Sequence, residues 1–489
     1  MTKIVKNSIC LVVIVLASFN VFGQFNGTNL VEYQFGEAPN DVNAISSIYD
    51  RFVANFNYKS FRSDVTLEQF YSEYDGSNYT NISQFSVQYN SDKIQVKLGN
   101  FYETIGRGTL LHSFQIPGAI LEDLSYRSRH YFNRDILGAS VKFQSNNFMT
   151  KVLYGSPLNY VFPPNQNSNL RRSDTIAALY SEYTYKNQTL GAAIMHHSNS
   201  GNEKLFSMIT LSGSISPKIS YYTEVSKNIK NNSINDFSDA ASYAIYSGVN
   251  ISLNNIGISA EYKNYNNFLI GSGINEPPAL VKEHTYRLLN RSTHVPQPLN
   301  ESGYQLEAFY TMPNLSVLTL NHTKAINKFG QKFTFNEYFL EYDFMLKDKH
   351  DIKLFIDYAE DPFKLEENRI STGLYSEWKA GKNSTIRTDY EFQHFDRLNE
   401  GNVNQVLSVG YAYKSKIIGS IVAEHSTDNY LVNSGSKYWL GANLKYKLNN
   451  KHSFQLFAGE RRGGPACNAG VCYEVLDFKG VELRVTSRF

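Results

Sequence analysis

Cysteine, proline and long hydrophobic runs are scarce in this chain. Its 489 residues include 3 cysteines and 13 prolines, against 35 tyrosines and 32 phenylalanines. The apolar run from Ile9 to Leu16 is too short to cross a membrane as a stable helix. A prior of about 150 residues per domain would suggest three domains. No linker-like or low-complexity stretch divides the chain, so we predict one domain after the N-terminal segment.

The N-terminus has the pattern of a secretory signal peptide. Lys3 and Lys6 precede the apolar run, and a small-residue site, Val-Phe-Gly, follows at 21–23. We therefore predict a signal peptide at residues 1–23 and a mature chain at residues 24–489. Removing the two lysines lowers the formal net charge from +2 to 0. This balance leaves no electrostatic basis for binding nucleic acid.

One structural unit recurs from about residue 48 onward. An alternating stretch of 9 to 13 residues ends in a tight polar turn, and a second alternating stretch leads into a longer polar loop. Asn, Gly, Pro and Asp tolerate the backbone dihedral angles of tight hairpins. Eleven short turns are predicted on this basis. They are Lys59 to Arg62, Asn90-Ser91-Asp92, Ser145-Asn146-Asn147, Lys186-Asn187-Gln188, Ser216-Pro217-Lys218, Asn254-Asn255, Pro313-Asn314, Lys347-Asp348-Lys349, Ala380-Gly381-Lys382, Ser415 and Asn449-Asn450.

The alternation separates an apolar face from a polar one. In residues 438–448, Tyr, Leu, Ala, Leu, Tyr and Leu alternate with Trp, Gly, Asn, Lys and Lys. A soluble β-sandwich would also alternate, so a secreted all-β protein is the alternative. Strands of about ten residues with aromatic ends, short turns on one side and long loops on the other are typical of bacterial outer-membrane barrels.

These features predict an all-β fold, a large transmembrane antiparallel β-barrel in the bacterial outer membrane. The eleven turns and a short opening strand around Leu30 to Phe35 imply about 24 strands, within a range of 22 to 26, with both chain ends in the periplasm. The last stretch, from Val481 to Phe489, alternates and ends in an aromatic residue. Phe489 is therefore the predicted insertion signal for the barrel assembly machinery, and membrane lipid is an expected partner.

Residues 102–133 form a loop much longer than a connector, and loops beyond about 15 residues usually carry function or disorder. One interpretation is an extended hairpin end, with glycines that permit a bulge and arginines that pair with Glu103, Glu122 and Asp123. The other is an arginine cluster facing the lumen, which would favour solutes that carry carboxylate or phosphate. The arginines concerned are Arg107, within Gly106-Arg107-Gly108, and Arg127, Arg129 and Arg134.

A second long loop spans residues 264–300. Pro277 and Pro278 are predicted to open a helix, and Pro296 to stop it. Such a helix either folds inward and narrows the pore, or lies at the surface with its basic face solvated. The residues predicted on that face, at spacings of three and four, are His284, Arg287, Arg291 and His294.

Catalytic and metal-binding motifs find little support. The chain contains no Gly-x-Ser-x-Gly, His-Glu-x-x-His or phosphate-loop motif. Lumenal acids such as Glu337, Glu341 and Asp343 are expected in any polar lumen. Two histidines ten residues apart are poorly spaced for metal ligation. We therefore predict no enzyme activity, no cofactor and no metal.

Cys467 and Cys472 lie in a glycine-rich turn before the last strand. An oxidising periplasm makes a disulfide between them the first interpretation. Two thiolates alone make an incomplete metal site, and thioredoxin-like chemistry requires two intervening residues rather than four. The closed loop is short, so the bond is expected to contribute only about 2 kcal/mol by loop-entropy scaling. Its predicted role is to fix the tip of a hairpin.

Three segments resemble a family of Bacteroidota outer-membrane barrels classed as a domain of unknown function. They are the tail from Arg462-Gly463-Gly464 through Cys467 and Gly470-x-Cys472, the stretch GNFYETIGRG at 99–108, and PPALVKEHTYRLLNRSTHV at 277–295. Leu476 and Ser292 depart from residues that are common in that family, proline and histidine respectively. The resemblance implies a large outer-membrane barrel and brings no substrate with it.

Two functional hypotheses follow from the predicted barrel. The first is a porin-like passage for solutes, with an arginine-rich constriction shaped by the two long loops. The alternative is a scaffold or subunit of a surface secretion or attachment complex, whose partners would be surface lipoproteins or exported proteins. A wide lumen would leak if left open, so it must be filled by loops or by a partner. A membrane-embedded hydrolase is a third and weaker hypothesis, because no nucleophile or acid cluster can be placed from the sequence.

Overall fold

The structure is a computed structural model that describes residues 24–37, 43–74, 76, 78–122, 128–158, 174–229, 236–271, 273–295, 299–429, 437–468 and 471–489. The predicted signal peptide, at 1–23, lies outside these residues. Side chains are described for all of them except residues 329, 465–468 and 471–474.

Strands dominate the described part of the chain, which contains 30 strands and one short helix, α1 (Arg287–Arg291). The strands are β1 (Gln24–Glu37), β2 (Ala44–Tyr58), β3 (Phe61–Ser72), β4 (Tyr79–Asn90), β5 (Ile94–Phe101), β6 (Thr104–Ile105), β7 (Leu111–His112), β8 (Phe114–Glu122), β9 (Arg129–Arg134), β10 (Ile136–Gln144), β11 (Phe148–Pro157), β12 (Asp174–Tyr185), β13 (Gln188–Asn199), β14 (Asn202–Ser216), β15 (Ile219–Asn228), β16 (Tyr243–Leu253), β17 (Ile256–Asn266), β18 (Asn300–Thr311), β19 (Val317–Phe329), β20 (Gln331–Leu346), β21 (His350–Asp361), β22 (Glu366–Lys379), β23 (Ser384–Arg397), β24 (Glu400–Tyr413), β25 (Ile417–Ser426), β26 (Lys437–Lys447), β27 (His452–Arg461), β28 (Gly464–Asn468), β29 (Val471–Val475) and β30 (Phe478–Arg488). Within the described residues, no helix is long and apolar enough to cross a membrane.

Twenty-four of the strands form a closed antiparallel barrel, as the sequence predicted. Most pair with the next strand along the chain, while β5 pairs with β10 and β27 pairs with β30. The barrel closes where β30 pairs with β1, over the register Thr28↔Arg488 to Glu37↔Lys479. The opening strand is longer than predicted and begins at Gln24.

The eleven predicted short turns each join two consecutive barrel strands. The start of β1 and the end of β30 both lie at the rim that carries these turns. The backbone N–H of Phe489 donates to the carbonyl oxygen of Gly27 at 2.8 Å, and that of Arg488 donates to Lys451, in the last turn, at 2.8 Å. Because the number of barrel strands is even, the two ends of the chain lie at the same rim.

The two faces of each strand meet different surroundings, as the alternation predicted. In β26, Tyr438 and Leu440 are 71% and 62% exposed, whereas Trp439 between them is 2% exposed. In β30, Leu483 points outward and is 38% exposed, whereas the neighbouring Glu482 is 9% exposed and faces the lumen. The outer surface is thus an apolar belt, and the polar residues face inward.

Two long connections, in the parts that the structure describes, fold into the lumen. Insert 1, residues 102–135, joins β5 to β10 and contains the small hairpins β6–β7 and β8–β9. Insert 2, residues 267–299, joins β17 to β18 and contains α1. The inserts contact each other: His112 N donates to Ile274 O at 2.7 Å, and Glu276 N donates to Gly108 O at 3.2 Å.

A hydrophobic core lies inside the barrel, between the inserts and the wall. Inward-facing wall residues such as Leu153, Met195 and Phe206 pack with Leu111 of insert 1 and Ile274 of insert 2. Each of these five side chains is at most 2% exposed. This part of the lumen is therefore packed like a protein interior.

The predicted cysteine pair lies in the hairpin β28–β29. The backbone register places Cys467 directly opposite Cys472. Their side chains lie outside the described residues, so the disulfide stays a prediction. Gly464, at the start of this hairpin, lies next to Arg291 of α1, whose Cδ atom is 3.8 Å from the position of a Cβ built on the glycine.

Gly36 is predicted to be essential for closing the barrel at the β1–β30 seam. A Cβ at Gly36 would lie 2.3 Å from the carbonyl oxygen of Lys479 and 2.8 Å from the Cα of Gly480, both backbone atoms that cannot turn away. Gly36→Ala should therefore destabilise the barrel by about 1–3 kcal/mol, as overpacking does. The measurement is the temperature at which the folded band is lost in heat-modifiability gels.

Gly381→Ala is the matched control, because nothing lies within 4 Å of a Cβ at that turn position. Equal melting of the two variants would contradict the close approach at the seam.

Candidate functional site

Insert 2 runs along the inner wall as an extended segment before its helix begins. The predicted helix start at Pro277 is wrong, because α1 begins at Arg287. The wall occupies the backbone carbonyls that a helix would need: Tyr265 Oη donates to Pro278 O at 2.8 Å, and Lys263 Nζ donates to Ala279 O. Leu280 also has a positive φ of 51°, which a helix does not permit. Pro296, the predicted stop, lies outside the described residues.

A wall carboxylate fixes where α1 starts. Glu391 accepts hydrogen bonds from the backbone N–H groups of Arg287 and Leu288, each at 2.7 Å. These are two of the donors that the first turn of a helix leaves without an internal partner. Tyr286, just before the helix, stacks on Phe355 of the wall with ring centroids 4.0 Å apart. The helix thus begins where the wall can satisfy its first turn.

Arg287 and Arg291 of α1 meet at one carboxylate. Arg287 Nη1 lies 2.7 Å from Glu424 Oε1, and Arg291 Nη1 lies 2.6 Å from Glu424 Oε2. The predicted spacing of four residues did bring these two arginines onto the same helix face. The side chain of Arg287 is 41% exposed, so this residue also faces the open part of the lumen.

A cavity of about 230 Å³ lies beside this pair. Four arginines line it, two from α1 and two, Arg461 and Arg462, from the end of β27. Two carboxylates line it as well, Glu424 and Glu460. Four positive charges less two negative charges leave a formal charge of +2 around the cavity. We call it the arginine cavity.

Several donors in the arginine cavity have no acceptor among the described residues. Trp439 Nε1, Arg461 Nε and Arg462 Nε are buried without a hydrogen-bond partner. Unpaired buried donors each cost about 1–3 kcal/mol. Burial, reinforced by the nearby guanidinium of Arg291, lowers the pKa of Arg462 to about 10. The cavity therefore has both the hydrogen-bond donors and the positive charge that an anion requires.

A larger cavity of about 510 Å³ lies between insert 1 and the first strands, and its lining residues, Arg51, Arg62 and Lys97 less Asp64, also give a formal charge of +2. Its basic residues are individually paired: Arg51 with Glu68 at 3.5 Å, Arg62 with Asp64 at 3.0 Å, and Lys97 with Glu103 at 3.5 Å. The arginine cavity is distinguished by its buried donors, Trp439 Nε1, Arg461 Nε and Arg462 Nε, which lack an acceptor among the described residues.

The arginines of insert 1 are not brought together. Arg107 is exposed, and its guanidinium lies 5.0 Å from the ring centroid of Tyr222 on the wall. Arg129 is buried against Glu32 of β1. Arg134 pairs with Glu276 of insert 2. Arg127 lies outside the described residues.

The glycines beside Arg107 permit the turn that insert 1 requires. Gly106 and Gly108 have φ angles of 64° and 98°. The turn brings Arg107 N to Glu224 Oε2 at 2.7 Å. A Cβ at Gly106 would lie 2.2 Å from the same carboxylate oxygen. This segment therefore anchors insert 1 to the wall.

The two histidines of insert 2 contact separate carboxylates of the wall. His284 Nε2 lies 3.3 Å from Glu337 Oε1. His294 lies between Asp361, at 3.0 Å, and Glu301, at 3.3 Å. Burial lowers the pKa of His294, but its hydrogen bonds to these two carboxylates outweigh burial, so its pKa is raised above the ordinary value.

Sequence reasoning missed Glu424, Trp439 and Arg461. Each lies on an inward-facing position, and Trp439 was placed on the polar face by the alternation alone. A tryptophan on a polar face, Trp439, and two consecutive arginines, Arg461 and Arg462, are the signals that the sequence itself carries. The pairing of strands that brings them together could not be read from one sequence.

Comparison with known protein families matches residues 40–328, more than half of the chain, to a family of unknown function, DUF6029. The chain belongs to this family. No curated protein sequence matches this DUF6029 member. Among solved structures, a chain of the E. coli P pilus tip assembly intermediate PapC-PapD-PapK-PapG superposes with a TM-score of 0.55 and 8% identity, over 95% of this chain and 60% of that chain.

Two further structures resemble the DUF6029 chain. The translocation pore of the P pilus usher PapC has a TM-score of 0.48 and 9% identity, over 95% of this chain and 99% of that chain. Pseudomonas aeruginosa OpdQ has a TM-score of 0.40 and 9% identity, over 69% of this chain and 92% of that chain. At such identities the likeness concerns the fold, a large barrel of the outer-membrane type.

The environment of His294 predicts how docking of insert 2 depends on pH. A pKa raised by docking means that the docked state holds the proton more tightly. The stabilisation is therefore fully present below the undocked pKa of about 6.5 and is lost as pH rises through the docked pKa. Histidine NMR titration should show His294 titrating above the ordinary value, whereas burial, with Arg134 nearby, holds the pKa of His112 at about 4.

The consequence for docking is measured by tryptic cleavage after Arg287 or Arg291, with a reference peptide to correct for the enzyme's own pH dependence. Cleavage should accelerate as pH rises, and His294→Gln should remove that acceleration. A His294 that titrates below the ordinary value would contradict the prediction.

Proposed function

We propose that this protein is an outer-membrane channel for small solutes that carry carboxylate or phosphate, closed at rest by its own inserts. The observation that carries the proposal is the arginine cavity, in which Trp439 and two arginines hold buried donors without acceptors. The proposed location is the bacterial outer membrane, with lipid around the apolar belt and insertion by the barrel assembly machinery. A Bacteroidota source remains a prediction.

The chemistry of the cavity fits a small anion. Guanidinium groups match carboxylate and phosphate with paired, charge-assisted hydrogen bonds. The indole N–H of Trp439 adds one neutral donor. A volume of about 230 Å³ is below the range of roughly 300–1,000 Å³ of drug-sized ligand pockets. The solute, or the part of it held here, is therefore small.

Binding of an anion would weaken the contacts that hold insert 2 against the wall. Arg287 and Arg291 hold α1 to the wall through Glu424. An incoming carboxylate or phosphate offers the same guanidinium groups an alternative partner. Breaking a buried ion pair costs about 3–5 kcal/mol, and a replacing anion offsets the part that belongs to the two guanidinium groups but leaves Glu424 without its partners. The solute would thus loosen insert 2 at the point where it meets the wall.

A scaffold is the second candidate function, and the hydrophobic core inside the barrel favours it. Leu111 and Ile274 are fully buried within the lumen, so part of each insert is packed as firmly as a plug. In this case the barrel would present its outer loops to a lipoprotein or an exported protein. A stoichiometric partner that co-purifies in mild detergent would favour the scaffold.

Tryptophan fluorescence tests the anion site directly. The chain has 2 tryptophans, so a Trp378→Phe background leaves Trp439 as the only reporter. Titration with inorganic phosphate or acetate should change the Trp439 emission, whereas chloride at equal ionic strength should change it much less. Arg462→Met should weaken binding by roughly tenfold or more, as expected for loss of a charge-assisted hydrogen bond.

Arg387→Met is the matched control, because Arg387 lies on the wall away from the cavity and pairs with Glu377 at 2.9 Å. The proposed channel loses its basis if the Trp439 emission responds to neither anion. It also loses its basis if Arg462→Met and Arg387→Met weaken anion binding equally.

A further inference from the structure

We propose that His284, Glu337 and Asp357 form a binding site for a divalent transition-metal ion such as Zn²⁺, which joins insert 2 to the barrel wall. His284 belongs to insert 2, Glu337 to β20 and Asp357 to β21. Such an ion would bridge the extended part of insert 2 to two adjacent strands. The inference stands independently of the arginine cavity.

The distances suit a shared ion. One nitrogen of His284 and one oxygen from each carboxylate all lie within 4.8 Å of one another. His284 Nε2 and Glu337 Oε1 are 3.3 Å apart. Ligand distances of about 2.0–2.2 Å in tetrahedral geometry place two ligand atoms roughly 3.3–3.5 Å apart. The third ligand atom needs a shift of only about 1 Å to complete the set.

The three side chains of this site are buried, and each has a polar atom without a partner among the described residues. Glu337 is 2% exposed, Asp357 0% and His284 5%. Glu337 Oε2, Asp357 Oδ2 and His284 Nδ1 have no hydrogen-bond partner among the described residues. A buried charged oxygen without a partner is costly, and buried charges are therefore normally paired or bound to metal. A bound cation would stabilise two such carboxylate oxygens beside one imidazole.

Arg369 supplies part of that positive charge but not all of it. Its Nη2 lies 3.4 Å from both Glu337 Oε1 and Asp357 Oδ1, while its Nη1 makes a shorter contact of 2.9 Å with Glu366. Three carboxylates and one guanidinium, with His284 neutral, give a formal charge of −2. A divalent ion balances this charge, and Arg369 can remain on Glu366, its stronger partner.

The ligand set indicates the class of ion. One imidazole nitrogen and two carboxylate oxygens suit Zn²⁺ and other first-row divalent ions, whereas Ca²⁺ and Mg²⁺ prefer oxygen ligands alone. A water molecule would take the fourth position of a tetrahedral ion. No sequence motif marks this site, because His284 and Glu337 are 53 residues apart in sequence and meet only when insert 2 docks.

Calorimetric titration of the chelator-treated barrel with Zn²⁺ tests this site. We expect one ion per chain. His284→Ala should weaken binding by more than the roughly 10–100-fold that outer-shell substitutions cost. Co²⁺ should give a visible absorption band in the wild type that is lost in His284→Ala. His196→Ala is the control, because His196 is exposed on the outer face.

Asp357→Asn provides a second variant if His284→Ala does not give a folded band in heat-modifiability gels. The site is overturned if the folded wild type binds neither Zn²⁺ nor Co²⁺, or if His284→Ala and Asp357→Asn bind as tightly as the wild type. The phosphate response of Trp439 is a separate readout, so failure of the metal site and failure of the anion site can be told apart.

Discussion

Everything inside this protein depends on the width of a 24-strand ring. Side chains from the wall fill a barrel of about eight strands, but they cannot reach across one of this size. The chain must send backbone into the lumen or leave it open. Inserts 1 and 2 bring backbone into the lumen, and the N–H and C=O groups of that backbone then need hydrogen-bond partners. The wall meets that requirement with side chains: Glu224 accepts from the first insert, and Glu391 from the helix of the second.

The contacts between the inserts and the wall differ between the two halves of the lumen. Against β11 to β14 the inserts bury apolar side chains, and that contact is worth about 25 cal/mol for each Å² removed from water. Against β20 to β25 insert 2 also packs through small apolar clusters, around Val281, Tyr286 and Leu288. It adds ion pairs there, with Arg287 and Arg291 on Glu424, and His284 and His294 on wall carboxylates. Buried ion pairs add little net stability, yet they respond strongly to a competing ion or proton. The half beside β11 to β14 is therefore suited to permanent closure. The half beside β20 to β25, which we call the ionic half because ion pairs add to its apolar contacts, is suited to release.

The barrel was predictable from the sequence and its contents were not. Alternation in stretches such as 438–448, together with Asn- and Gly-rich turns, determined the strand number because both are local signals. Arg287 and Glu424 are 137 residues apart, so their contact depends on strand pairing that alternation does not encode. The predicted helix from Pro277 is wrong for a related reason. Wall side chains of Lys263 and Tyr265 donate hydrogen bonds to the backbone carbonyls of Ala279 and Pro278. One signal was available: Leu153, Met195 and Phe206 occupy inward positions with apolar side chains, which a water-filled lumen would not favour.

Single-channel recording in planar bilayers tests the central claim that insert 2 closes the barrel. The comparison is between the wild type and a variant in which residues 277–295 are replaced by a short glycine–serine linker, with folding of both checked by heat-modifiability. We expect small or brief openings from the wild type and a large, steady conductance from the variant, because the ionic half of the lumen is then empty. Equal conductance of the two proteins, or no conductance from either, would contradict closure by insert 2.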